Sequence, residues 1–182
     1  NNFKTNDVNY NREDFVTAKL ESEFTKWFDN WQYNKTDTKV CVLFARLLRC
    51  SIDKKGKLKL NNFKTSISQD DVSSLHLDHM EPRSGAEHEK SSYFIDPDRE
   101  FIINGIGNMM PLPGRINISK SNKPLKESFS YLEEAGLGDH WFVKKSKDLF
   151  FDNNNKGVPK KKFFQERKAL IRESFYSIIK EC

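Results

Sequence analysis

Four residues in the middle of the chain combine side chains that suit hydrolysis assisted by a metal ion. Asp78 and His79 are adjacent in Leu-Asp-His-Met-Glu-Pro, whereas Asn108 and Asn117 follow in Ile-Gly-Asn and in Arg-Ile-Asn-Ile-Ser-Lys. Histidine has an ordinary pKa of about 6.5, so its neutral form can take a proton from water near neutral pH. Carboxylate and amide oxygens are hard ligands that suit Mg²⁺, which binds few protein carboxylates and keeps several waters. The set therefore suits the hydrolysis of a phosphodiester.

These residues can act together only if the fold brings them to one place. Neighbours within an ideal strand point to opposite faces, so a bend at His79 is needed for Asp78 and His79 to reach one site. Asn117, at the start of a following helix, could close the metal site. We therefore expect a strand–loop–strand–helix unit, with a first strand over residues 73–80 and a second strand that begins at Phe101–Ile103.

The elements around that unit are predicted to be mainly helical. Large apolar residues recur at three- and four-residue steps, which is typical of a helix that buries one face. This pattern predicts helices from Arg12 to Trp31, from about Thr36 to Cys50 and from Lys160 to Lys180, and helical character returns from about Asn117 to Ala135. Thr36 or Asp37 is the expected N-cap of the second helix. Residues 53–56 read as a turn, 57–60 as extended and 83–100 as a loop.

Composition limits the classes of protein that the chain can represent. The 182 residues are 36% hydrophobic and 13% aromatic, which is enough for a core, and the net charge of +5 modestly favours a polyanionic partner. The three cysteines form no CxxC pair, so we expect reduced thiols and a cytoplasmic protein. No apolar run is long enough to cross a membrane. Because the sequence begins with Asn1, we expect it to be part of a longer protein.

The spacing of the chemical residues resembles that of the HNH nucleases, also called ββα-metal or His-Me finger nucleases. The resemblance rests on Asp-His-x-x-Pro, a long loop, Ile-Gly-Asn-x-x-x-Leu and Asn-x-x-x-x-Asn-Lys, and it covers about residues 75–131. More narrowly, the chain resembles the C-terminal nuclease domain of GmrSD-type modification-dependent restriction and phage-defence proteins, including phosphorothioate-sensing ones.

The resemblance implies a role for each of the four residues. His79 is similar to the general base that activates water, and Asp78 to the carboxylate that binds the metal. Asn117 is similar to the terminal metal-binding Asn, and Asn108 to the middle Asn of the catalytic motif, which braces the loop and orients the histidine. No histidine stands at the last position of the motif, which favours Mg²⁺ or Mn²⁺ over a softer transition metal.

Basic residues beside the motif are candidate contacts to DNA phosphates. The alternative for each of them is that its side chain is simply solvated and has no role in binding. These basic residues are Arg83, Arg115, Lys120, Lys123 and Lys126.

We therefore predict an α+β fold, in which a ββα-metal (HNH) core is embedded in a mainly helical domain. The expected parts are a linker or arm (1–11), a helical lobe (12–70), the HNH core (71–135) and a C-terminal helical region that packs on the core (136–182). The expected activity is metal-dependent DNA cleavage within a restriction or anti-phage defence protein, with a nick in one strand as the expected product. A non-catalytic DNA-binding or docking module and an RNA-directed nuclease stay open as alternatives. The expected partners are DNA and an N-terminal sensing or NTPase domain of the same protein, and a homo-oligomer is left open.

Overall fold

The computed structural model of the chain describes residues 12–34, 38–52, 58–60, 75–83, 97–152 and 159–180. The chain divides into two compact units, Asn1–Trp31 and Gln32–Cys182. In the first unit, helix α1 spans Arg12–Asn30, which confirms the predicted first helix. Phe24 faces Trp27 and Phe28 along this helix, with ring centroids 5.8 and 5.6 Å apart. These are the three- and four-residue steps from which the helix was predicted.

The second unit begins with a helix and a hairpin. Helix α2 spans Thr38–Leu47, within the predicted range, and buries Val40, Phe44 and Leu47. The predicted N-cap residues, Thr36 and Asp37, and the predicted turn at 53–56 lie outside the described residues. Strand β1 (Cys50–Ile52) pairs antiparallel with β2 (Leu58–Leu60), which confirms the extended segment. The second helix thus ends earlier than predicted, because Cys50 already belongs to a strand.

The strands that carry the chemical residues form a separate antiparallel pair. Strand β3 (Leu75–His79) pairs with β4 (Met109–Pro113), so that His79 lies opposite Met109 and Asp78 opposite Met110. The first predicted strand is confirmed. Two prolines in β4, Pro111 and Pro113, have no N–H group to donate. A strand tolerates a proline where its nitrogen faces away from the partner strand. Among the residues that the structure describes, no third strand pairs with either of these two.

The second predicted strand, which was to begin at Phe101–Ile103, is wrong. These residues belong to a short helix, α3 (Arg99–Ile103), which is followed by a 3₁₀ turn, Ile106–Asn108, that leads into β4. Phe-Ile-Ile has the aromatic and β-branched residues that favour a strand. Backbone hydrogen bonds from Ile102 N to Asp98 O (2.9 Å) and from Asn104 N to Glu100 O (3.1 Å) close the helical turn instead.

The helical segment predicted over residues 117–135 consists of two helices. Helix α4 spans Gly114–Lys120 and α5 spans Leu125–Glu134. The break falls at Ser121, whose φ of 48° is incompatible with a continuing helix. The predicted end is confirmed, because Gly136 has a φ of 75° and the Leu137 N–H group donates to Leu132 O at 2.9 Å. This is the arrangement in which glycine commonly ends a helix.

The chain ends with two further helices, α6 (Trp141–Asp152) and α7 (Lys161–Lys180). The second confirms the predicted C-terminal helix. His140 precedes α6, and its Nδ1 accepts the Phe142 N–H group at 3.3 Å while its Nε2 lies 3.1 Å from Cys50 O. Because Nδ1 accepts a hydrogen bond, the imidazole is neutral. Burial favours this neutral form and lowers the pKa of His140, whereas the hydrogen bond to the Cys50 carbonyl raises the pKa by a smaller amount.

The core lies where the β3–β4 pair packs against the surrounding helices. Its apolar side chains come from β4, α4, α5, α6 and α7 and include Met110, Leu112, Ile116, Leu125, Phe129, Leu132, Val143, Phe150, Phe163 and Phe164. Burying one such side chain stabilises a fold by roughly 1.5–3 kcal/mol. The fold is therefore α+β, as predicted. Within the described part of the chain, no helix has the length and apolarity to cross a membrane.

Candidate active site

Asp78 and His79 lie at the end of β3, where the strand leaves the sheet. The His79 side chain is buried, with 8% of its surface exposed. Its ring makes an edge contact with the ring of Tyr33, with centroids 4.6 Å apart, and its Nε2 lies 3.3 Å from Asn104 Oδ1. The imidazole is therefore held on one side by an aromatic ring and on another by an amide.

Burial lowers the pKa of the His79 imidazole, whereas the hydrogen bond to Asn104 and the charge of Asp78 raise it less strongly. The positive charges of Arg83 and Lys120 also lower this pKa. The neutral form therefore predominates at neutral pH, and that is the form that can accept a proton from water.

Lys120 holds the end of the strand from α4. Its side chain is completely buried, and its Nζ donates to His79 O at 2.6 Å and lies 3.0 Å from Asp78 Oδ2. A fully buried ammonium group does not face the solvent in which a DNA phosphate would lie. The predicted phosphate contact at Lys120 is therefore wrong for this arrangement, and the residue instead fixes Asp78 relative to His79.

Asn108 lies in a buried hydrogen-bond network beside the segment that follows His79. Its side chain is completely buried. Its Oδ1 accepts the Glu81 N–H group at 2.8 Å, while its Nδ2 donates to Glu81 O at 2.8 Å and to Ile103 O at 2.9 Å. Its backbone carbonyl accepts the Met80 N–H group at 2.7 Å. These hydrogen bonds tie Asn108 to the segment after His79 and are compatible with the bracing role that the resemblance implies, which stays a prediction.

Three residues that the sequence analysis did not select hold the same segment. Glu81 is buried, and its Oε2 accepts the Leu125 N–H group at the start of α5 (2.8 Å). Ser128, one turn further along α5, donates to Met80 O at 2.6 Å. A glutamate just after the Asp-His pair and a serine on an apolar helix face are weak signals, because both residue types are usually exposed.

The third such residue, Arg167, acts on the other side of Asn108. It is buried on α7, and its guanidinium donates to Gly107 O and Met109 O at 2.7 Å each, and to Ser146 Oγ at 3.3 Å. Burial lowers the pKa of Arg167 to about 9, so the group stays charged at neutral pH. The carbonyls on either side of Asn108 are therefore fixed by the C-terminal helix.

The residues proposed to bind a metal fit a hard ion with few protein ligands. Asp78 Oδ2 is buried and pairs with the Lys120 ammonium at 3.0 Å, while 22% of the Asp78 side chain is exposed. The carboxylate is therefore a hard oxygen donor that solvent still reaches. Asn117 is half-buried and precedes Lys120 by three residues on α4, which is the same face of a helix. No group of three His, Cys, Asp or Glu that could hold an ion occurs in the part of the chain described.

The other predicted DNA contacts differ in how far the structure describes them. Arg83, Lys123 and Lys126 are exposed. Lys123 also lies 3.9 Å from Glu127 in an exposed pair, which leaves it accessible. The side chain of Arg115 lies outside the described residues. For Arg83, Lys123 and Lys126, contact with DNA phosphates stays a prediction.

The fold and the site define an α+β protein in which a strand–strand–helix unit carries an Asp-His pair. The family model described as GmrSD restriction endonucleases, C-terminal domain, matches residues 17–173. The chain therefore belongs to this family, as the sequence resemblance indicated. No curated protein and no solved structure gives a significant match.

Proposed function

We propose that this domain is a metal-dependent DNA endonuclease of the HNH type that cuts one strand per unit. The observation that carries the proposal is the buried His79 beside Asp78 at the end of β3, with its pKa lowered. Membership of a restriction-endonuclease family supports cleavage of DNA as the reaction.

In the proposed reaction, His79 takes a proton from a water molecule whose oxygen attacks the phosphorus. The bond between phosphorus and the 3′ oxygen breaks, its electron pair stays on that oxygen, and the oxygen takes a proton from solvent. Asp78 and Asn117 would hold Mg²⁺ or Mn²⁺, which offsets negative charge on the phosphate and on the leaving oxygen. Arg83, Arg115, Lys123 and Lys126 would contact phosphates and position the strand.

The test is nicking of supercoiled plasmid in the presence of Mg²⁺. We expect His79→Ala to abolish nicking while DNA binding and folding are retained. His76→Ala is the matched control, because His76 is an exposed histidine on the same strand, and it should nick like the unmodified protein. Retained nicking by His79→Ala would show that His79 is not the base.

The substrate and the product need separate measurements. A matched RNA should be cut less than DNA, and preferential cutting of RNA would refute DNA as the substrate. A single-strand nick should appear before linear plasmid, since one unit of this type cuts one strand. We also propose that an N-terminal sensing or NTPase domain of the same protein controls cutting, so that a protein containing both domains should nick only when the N-terminal one is active.

A further inference from the structure

Asn104 links the proposed base to a carboxylate on α3. Its Oδ1 lies 3.3 Å from His79 Nε2, and its Nδ2 donates to Glu100 Oε2 at 3.1 Å. Glu100 and Asn104 are four residues apart, so they face the same side of the short helix and its C-cap. No sequence motif selected either residue.

The two contacts together determine which ring nitrogen of His79 carries the proton. An ionised carboxylate only accepts hydrogen bonds, so Glu100 requires the amide NH₂ of Asn104 to point toward it. The amide oxygen must then point toward His79. Since this oxygen is an acceptor, Nε2 must be the protonated nitrogen of the neutral ring, and Nδ1 keeps the lone pair.

The surrounding contacts keep Asn104 and the ring in this relation. The Asn104 carbonyl accepts the Tyr33 N–H group at 2.8 Å, and the Tyr33 ring packs edge-on against His79. Glu100 Oε1 also accepts a hydrogen bond from Arg99 at 3.2 Å, and 70% of the Glu100 side chain is exposed. A second guanidinium nitrogen of Arg99 donates to Arg83 O at 3.2 Å. The chain of contacts thus runs from residue 83 to the base.

We propose that Asn104 is a positioning residue that, oriented by Glu100, fixes the tautomer of His79 and makes Nδ1 the nitrogen that takes the proton from water. The kinetic part of this inference rests on the proposed nuclease function. The structural part does not, because the tautomer is a property of the protein without DNA or metal.

Long-range proton–nitrogen NMR correlation spectra of protein with labelled histidine test the structural part. These spectra distinguish a protonated from an unprotonated ring nitrogen, and the His79→Gln variant identifies the signals of His79. Above neutral pH we expect the unmodified protein to show His79 protonated on Nε2. A protonated Nδ1 in the unmodified protein would overturn the proposal, whether or not the domain cuts DNA.

Two pairs of variants separate the tautomer from simple structural support. Asn104→Ala should give a mixture of tautomers, whereas Asn104→Asp keeps an acceptor oxygen and should restore the Nε2-protonated form. Glu100→Ala frees the amide to rotate and should also mix the tautomers, whereas Glu100→Gln keeps an acceptor for Asn104 Nδ2 and should not. An unchanged tautomer in both alanine variants would refute the role of this pair.

Nicking kinetics test the functional part with the same variants. Asn104→Ala should lower kcat by roughly 10–100-fold, as loss of a group that orients a histidine does, with KM for DNA unchanged. Asn30→Ala is the matched control, because Asn30 is an exposed asparagine at the end of α1. An unmodified protein that does not nick would refute the proposed function and leave the tautomer result standing. Full kcat in Asn104→Ala, with nicking intact in the unmodified protein, would refute the positioning role.

Discussion

Replacement of Asn108 by alanine tests the distinction between a bracing and a catalytic residue. The side chain makes three buried hydrogen bonds, two with the backbone of Glu81 and one with Ile103 O. Asn108→Ala removes all three and leaves one backbone N–H and two carbonyls without this partner. We therefore expect a loss of stability together with a loss of activity.

The magnitude follows from the cost of unpaired buried groups. Each such group costs about 1–3 kcal/mol, and water that enters the vacated space satisfies some of the three. We expect the free energy of unfolding to fall by about 3–5 kcal/mol, which is a large part of the roughly 5–15 kcal/mol that stabilises a typical domain. For a chain of this size the corresponding fall in Tm is roughly 6–20 °C.

Chemical denaturation followed by circular dichroism measures this change, and plasmid nicking is measured at a temperature at which the variant is folded. Asn108→Asp is an informative second variant: it keeps an acceptor for Glu81 N but cannot donate to the two carbonyls. It should be destabilised at least as much. Asn30→Ala, at an exposed position, should change stability by no more than about 0.5 kcal/mol.

The reasoning is refuted by a stable but inactive protein. If Asn108→Ala loses less than about 1 kcal/mol and still cannot nick, Asn108 must contact substrate or the reacting atoms. If it loses the expected stability but nicks normally when folded, the brace does not position His79.

Three further predictions concern other parts of the molecule. Lys120→Met should lower nicking but leave DNA affinity unchanged, because this lysine is buried. Lys123→Ala should instead weaken DNA binding and reduce the slope of log affinity against log salt by about 0.9, measured by fluorescence anisotropy. The reverse pattern would contradict both assignments. Gly107→Ala should destabilise the fold by about 1–3 kcal/mol in denaturation, because its Cβ would collide with a backbone carbonyl of α7, while Gly114→Ala, which meets only a movable ring, should cost less. Burial lowers the pKa of His140, so the unfolded chain takes up the proton first as pH falls, and stability is lost from about pH 6.5 down to the lowered pKa. His140→Gln should make the dependence of stability on pH shallower. An unchanged slope would show that His140 does not contribute to it.

The sequence predicted those elements whose residues repeat with the helical period. Helices α1, α2 and α7 were found because each buries one face, and burial of large apolar side chains dominates their stability. The short helix α3 was missed because five residues are too few to display a period, and Phe101–Ile103 has the composition of a strand. Strand β4 was missed because Pro111 and Pro113 argue against a sheet unless their nitrogens are known to face away from the partner strand.

The candidate site could be predicted where residue type alone implies chemistry. Asp78 and His79 stand out because a carboxylate followed by a histidine can bind a metal and activate water. The role of Lys120 could not be predicted, since a lysine at the end of a helix is usually solvated. Only the packing of α4 against β3 determines that its ammonium reaches Asp78 instead.

The positioning residues show why these helices must enclose so small a ββα unit. Two strands and one helix have too little interior to hold a histidine still by themselves, since an isolated hairpin is marginally stable. The segment after His79 is instead held by Ser128 from α5, while Arg167 from α7 fixes the carbonyls on either side of Asn108. A domain cut after α5 would therefore keep the Asp-His motif and lose part of its support. The structural support of the Asp-His segment therefore extends to α7, consistent with a family match that continues to residue 173.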